Sequence, residues 1–163
     1  MGYNHVRTLI TVTYLQMTAR DERTDETLAK PYALTCAARP VAAFSRFLYT
    51  SVGADWTWYM RRGWTQKQWE RHVERPTLET WVAYLDGTPC GYFELERHTD
   101  ASVEIALFGL LPGFIGEGLG KGLLQDALTR AWETANRVWL HTCSLDHPQA
   151  LPNYLARGMR VYR

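Results

Sequence analysis

Hydrophobic and polar positions alternate along this chain with two periods, and the switches between them mark its elements. The segment Arg7–Leu15 carries β-branched residues at close spacing (Thr8, Ile10, Thr11, Val12, Thr13) and predicts a strand. Residues 18–30 are polar and heavily charged, as in Arg20-Asp21-Glu22-Arg23, and predict an exposed loop. A weaker strand follows at Tyr32–Ala37. Pro40 then suits the first turn of a helix bearing Val41, Phe44, Phe47 and Leu48. A second helix is predicted over 65–74. Thr65 and Gln68 have capping-box spacing, and Trp64 and Trp69 stand where a hydrophobic staple would hold the entry.

From 79 to 111 the period is two. Thr80–Leu85 ends at the hairpin signal Asp86-Gly87, Gly91–Glu96 returns, and a turn at Thr99-Asp100 leads into Val103–Phe108. The period then becomes helical. A glycine-rich turn at 113–122 opens a helix with Leu119, Leu123, Leu124, Ala127, Leu128, Ala131 and Trp132 on one stripe. A strand at Arg137–Cys143 follows. After it comes a short helix with Pro148 near its start, Leu151, Tyr154 and Leu155 along it, and Gly158 as its cap; a brief strand at Met159–Tyr162 ends the chain. Antiparallel strands first, then strand–helix–strand–helix, predict an α/β fold with a mixed sheet.

The 163 residues suit a single domain over 1–163. With 46% hydrophobic and 21% charged residues the chain can bury a core, which excludes disorder as its main state. Eighteen basic against 17 acidic residues leave a net charge of +1, which gives no footing for nucleic acid or an anionic membrane. No apolar run reaches the roughly 20 residues of a membrane span. Met1–Arg7 lacks signal-peptide character, and Val6 stands where myristoylation after Gly2 wants Ser or Thr. Cys36, Cys90 and Cys143 are too scattered for a disulfide framework or a Cys-x-x-Cys metal site, so no metal is expected. Reduced thiols fit a cytoplasmic protein.

Gly116-Glu117-Gly118-Leu119-Gly120-Lys121-Gly122 is the most informative stretch. Glycines let backbone approach a ligand, and free amides at a helix start favour phosphate. A Walker loop is excluded, because Gly122 follows Gly120-Lys121 and Ile115 occupies the first glycine's place. A dinucleotide fold is excluded by position: the glycines follow a meander, and too little chain remains. The diphosphate arm of coenzyme A fits, and so does a connection that binds nothing.

The run Val103–Pro112, the glycine turn and the amphipathic helix together resemble the core of the GCN5-related N-acetyltransferase (GNAT) superfamily. Its phosphate turn, Arg/Gln-x-x-Gly-x-Gly/Ala, maps onto Ile115–Gly120; both glycines match, and Ile115 replaces the Arg or Gln. A second motif, Asn-x-x-Ala-x-x-x-Tyr-x-x-x-Gly-Phe, maps onto His147–Met159. Ala150, Tyr154 and Gly158 match, while His147 and Met159 depart. The motifs cover about residues 80–163.

The resemblance implies a mostly antiparallel mixed sheet, flanked by about four helices and splayed at its central strands. It implies acetyl transfer from acetyl-CoA to an amine by direct attack in a ternary complex. Three chemical needs follow: a base for the amine's proton, a donor for the thioester oxygen, and an acid for the leaving sulfur. Tyr154 takes the family's acid position. Glu104 is the expected base, with His141 and His147 behind it. The donor is expected where the strand splays near Leu110, through a bulge or Gly109, with Phe108, Gly109, Leu110 and Leu111 along the pantetheine arm. Ile115, Gly116, Glu117, Gly118, Leu119, Gly120 and Lys121 would hold the phosphates, with His147 and Asn153 beside them.

Glu94 and Glu96 share one strand face and are candidates for the cationic substrate. Residues 44–69 hold eight aromatics. The resemblance implies that this segment covers the acceptor site, so Trp56, Trp58 and Tyr59 are the expected acceptor wall, for a hydrophobic or a cationic amine; core packing with a dimer surface is the other reading. Arg61-Arg62 beside them would hold a carboxylate or face solvent. An enclosed aromatic site favours a small-molecule amine over a protein amine. A non-catalytic acyl-CoA-binding module is the alternative of a different class. The short last strand leaves an edge that a homodimer would complete.

Overall fold

The computed structural model describes residues 7–24 and 26–163; the N-terminal reading of Met1–Val6 lies outside them. The described residues form seven strands and four α-helices: β1 Val12–Met17, β2 Ala33–Cys36, α1 Ala42–Val52, α2 Gln66–Val73, β3 Leu78–Leu85, β4 Thr88–Arg97, β5 Ser102–Leu110, α3 Leu119–Ala131, β6 Arg137–Cys143, α4 Ala150–Ala156 and β7 Arg160–Val161. The strands make one sheet in the order β2-β3-β4-β5-β6-β1-β7. Only β5 and β6 run parallel; every other neighbour is antiparallel.

Local chemistry explains most of this order. Asp86 and Gly87 both adopt positive φ, 50° and 82°, the twist a two-residue hairpin needs between β3 and β4. Thr65 accepts from the Gln68 amide at 3.3 Å, and the Gln68 side chain accepts from the Thr65 amide at 2.7 Å. Trp64 and Trp69 meet edge to face at 4.9 Å, completing the staple over α2. The α3 stripe packs on one face of the sheet, with Leu123, Leu124 and Leu128 against Leu15, Phe93, Ile105 and Leu140. On the other face, Leu48 and Val52 of α1 pack on Val82 and Tyr92, and Tyr49 meets Trp69 of α2.

Three details differ from expectation. β1 begins at Val12, not Arg7, because its partner β6 ends at Cys143, which pairs with Val12. It runs on to Met17 because Leu15 and Met17 alternate into the core, both fully buried. The exposed loop at 18–30 contains a 3-10 turn at Arg20–Glu22, where Glu22 accepts from the Thr18 and Ala19 amides. α4 starts at Ala150, so Pro152, rather than Pro148, sits within its first turn.

The feature that positions the site is a fork. β5 and β6 pair only at Ser102–Glu104 with Arg137–Trp139, and part beyond. A bulge at Ala106 accompanies the parting: Leu95 pairs with Ile105, but Glu94 pairs with Leu107. The break therefore comes four residues earlier than expected at Leu110.

Candidate active site

The fork opens into a cavity of about 710 Å3 that reaches both faces of the sheet. From the α3 side it is lined by Ile115, Gly116, Gly118, Leu119, Gly120 and Lys121. Phe108, Gly109 and Leu110 of β5 line its middle, with His147, Asn153 and Tyr154 opposite. Trp56, Trp58 and Tyr59 line it from the α1–α2 segment. Most positions singled out from the sequence alone thus converge on one cavity, His141 of β6 among them.

The glycine turn leaves its amides open. Gly116 and Gly118 take positive φ of 91° and 78°, and a Cβ at either would project into empty space. Gly118 is the N-cap of α3 and provides no side-chain acceptor, so the first-turn amides keep their donor capacity. Ile115 lines the cavity as an apolar residue. Across from the turn, Asn153 donates to the Gly120 carbonyl at 3.2 Å, while its own Oδ1 is buried without a partner.

Strand alternation decides which β5 amides face the gap. The Leu111 amide donates to the Cys90 carbonyl at 2.9 Å, towards β4. Leu111 is therefore unavailable to a ligand, contrary to the sequence reading, and the Leu110 N–H points to the gap. Gly109 has a packing role: a Cβ there would strike Val52.

Tyr154 is buried, edge to face with Phe108 at 6.1 Å. Burial, and then the Asp146 carboxylate, raises its hydroxyl well above the usual tyrosine value. Trp56 and His147 meet at 4.8 Å, bridging the aromatic segment to the start of α4. Between the two tryptophans Thr57 holds φ at 55°, a left-handed conformation that costs a β-branched residue about 1–3 kcal/mol. Gly53 lies directly beneath Trp58, where any Cβ would collide with it.

The acids are placed differently from expectation. Glu104 stands at the apex of the fork but does not line the cavity. Its Oε2 is 2.9 Å from His98 Nε2, and its Oε1 is 3.8 Å from Nδ1 of His141, which does line it. Glu94 is fully buried under α1 and α2, between Arg61 at 3.0 Å and His72 at 3.1 Å. Burial pushes its carboxyl up; the His72 hydrogen bond and the Arg61 charge outweigh that and hold it below the usual range. Arg61 is thereby spent on an internal carboxylate. Glu96 pairs with Arg75 at 2.7 Å and accepts from Thr77. Neither Glu94, Glu96 nor Glu117 lines the cavity.

The sequence reading missed Ile10, Val12, Met60, Cys143, Leu145 and Asp146 as lining residues. Ile10 and Val12 had an available signal: both are apolar residues of the strand predicted at Arg7–Leu15.

Residues 43–159 match the family described as "Acetyltransferase (GNAT) family". No curated protein matches the sequence. Among solved structures, a GCN5-related N-acetyltransferase from Sphaerobacter thermophilus is similar with a TM-score of 0.68 and 17% identity, over 96% of this chain and 50% of that one. One from Kribbella flavida gives 0.65 and 16%, over 93% and 56%. This chain thus spans about half the length of either. An aminoglycoside acetyltransferase, meta-AAC0020 from an uncultured soil metagenomic sample, in complex with trehalose, gives 0.62 and 13%, over 78% and 87%. At these identities the likeness is one of fold.

Proposed function

We propose that this chain, which belongs to the acetyltransferase (GNAT) family, moves an acetyl group from acetyl-CoA to the primary amine of a small molecule, as a single domain over residues 1–163. The observation that carries this reading is the fork: one continuous cavity joins an open glycine turn on one face of the sheet to an aromatic wall on the other.

The residues present fit coenzyme A. The α3 first-turn amides suit a diphosphate, and Lys121 adds a charge where the family's Arg or Gln is replaced by Ile115. The Leu110 N–H and the orphaned Asn153 Oδ1 suit the amide groups of a pantetheine arm. Bound there, acetyl-CoA supplies an acetyl group activated as a thioester, and the products are the N-acetyl amine and the free thiol.

The chain's own residues then supply proton handling. Tyr154, with its raised hydroxyl, keeps its proton at working pH and has one to give to a leaving sulfur. His141 is the side chain that faces the cavity at the amine end, and it is the base in this reading. Glu104 acts through it as a positioning residue, its Oε1 3.8 Å from the His141 Nδ1.

Calorimetric titration of acetyl-CoA into the purified protein tests the reading. Micromolar binding, followed by thiol release on adding an amine, is the expected result. No binding by well-folded protein would sink it, and binding without release to any amine would leave an acyl-CoA-binding module. His141→Gln is expected to lower kcat/KM about 100-fold near pH 7. A primary amine of pKa about 10.4 is then free in only about one molecule in 2,500. The deficit should shrink as pH rises towards that value, because the amine arrives already deprotonated. A pH-independent deficit would assign His141 a structural role.

A further inference from the structure

We infer that the amine acceptor is an arylalkylamine, a single primary amine on an aromatic body, and that polycationic amines are rejected. The inference rests on the transferase reading and deepens it.

The acceptor end of the cavity has an unusual wall. Trp56, Trp58, Tyr59 and Met60 face it from the α1–α2 segment, Ile10 from the approach to β1 and Val12 from its first position. Large apolar side chains are costly to leave in water, yet Met60 is 79% exposed, Tyr59 58%, Val12 44% and Ile10 39%. Four of the chain's exposed large hydrophobics therefore gather from two separate segments around one mouth. An apolar ligand body between them would remove that surface from water. The strained left-handed turn at Thr57 sits between the two tryptophans, and strain of this kind clusters at ligand sites.

Charge points the same way. Among the described lining residues the carboxylate is Asp146, whose Oδ2 accepts from the Thr142 hydroxyl and the Cys143 amide. Glu94, Glu96 and Glu104 lie outside the lining and are held by Arg61, Arg75 and His98. The cations in the lining are Lys121 and Arg157. A polyamine or an aminoglycoside would bring several ammonium groups to a wall that offers them a single carboxylate, Asp146. One ammonium is accommodated: aromatic faces attract it, and His141 stands ready to take its proton. Aminoglycosides, after which one of the similar structures is named, are therefore not expected as acceptors here.

The test compares 2-phenylethylamine and tryptamine with n-butylamine, spermidine and sisomicin, by thiol release at saturating acetyl-CoA. In parallel, each amine is titrated against tryptophan fluorescence, and acetyl-CoA is titrated separately. The expected result is a kcat/KM for the aryl amines at least 100-fold above spermidine and sisomicin and about 10-fold above butylamine. Equal or better turnover of butylamine or a polycation overturns the inference while leaving the transferase reading intact. The inference also falls if acetyl-CoA binds and no aryl amine binds or reacts. If aryl amines quench the fluorescence but acetyl-CoA does not bind, the transferase reading fails and the aryl amine site stands. Met60→Glu places a carboxylate at an exposed rim position and is expected to narrow the preference over spermidine about 10-fold; an unchanged ratio counts against the mouth as the acceptor site.

Discussion

Gly118→Asp is expected to weaken acetyl-CoA binding at least 100-fold while leaving the protein folded. Gly118 has φ 78° and ψ 8°, and nothing lies within 4 Å of the place a Cβ would occupy. Asp is among the residues that tolerate this conformation, so the backbone penalty is about 1 kcal/mol. A carboxylate beside the positive end of α3 also recovers part of that cost. The same carboxylate lies where a diphosphate would rest on the first-turn amides. Two like charges about 5 Å apart, at an effective dielectric of about 20, repel by roughly 3 kcal/mol, which is more than 100-fold in affinity. Gly118→Ala separates the causes, because it adds the strain without the charge and should lose less than tenfold. Calorimetry on both variants, with a thermal melt of each, decides the matter. Retention of wild-type affinity by the Asp variant would place the phosphates elsewhere.

Much of this architecture was legible because its causes are local. The α2 cap, the Asp86-Gly87 hairpin and the α3 stripe each depend on residues within a turn or two of one another. The glycine turn was legible for the same reason. The acids were not. Period two correctly put Glu94 and Glu96 on one face, but the partners that commit Glu94, Arg61 and His72, are 33 and 22 residues away. Glu104 was expected in the cavity because its strand was known, whereas its direction depends on where β5 and β6 part. That point is set by the pairing of Glu104 with Trp139 and the bulge at Ala106, a non-local register that no local pattern encodes. The same pairing places His141, two residues beyond Trp139, beside Glu104 and at the cavity.

Glu94→Ala is expected to destabilise the fold by about 3–5 kcal/mol, the usual cost of removing one partner from a buried ion pair. The cost arises from what stays behind. Arg61 is packed over the Tyr49 and Trp64 rings, with its guanidinium carbon 5.5 and 5.0 Å from their centroids, and cannot leave for solvent without dismantling that stack. His72 is also buried and loses the same carboxylate. For a chain of this length the loss corresponds to a fall in Tm of roughly 6–20 °C. The pH dependence has a definite sign. The folded carboxyl is held below its unfolded value of about 4.3, so its stabilisation is fully present above that value and is lost as pH falls through the folded one. The gap between wild type and Glu94→Gln should therefore be widest near neutrality and close below about pH 4. Function is tied to the same cluster, because Arg61 directly follows Met60 and its amide donates to the Tyr49 hydroxyl at 3.2 Å. Releasing Arg61 frees the end of the aromatic wall, so in the milder Gln variant KM for the amine should rise while acetyl-CoA affinity holds. A Glu94→Ala protein melting within 2 °C of wild type would show that the cluster is not what anchors the wall.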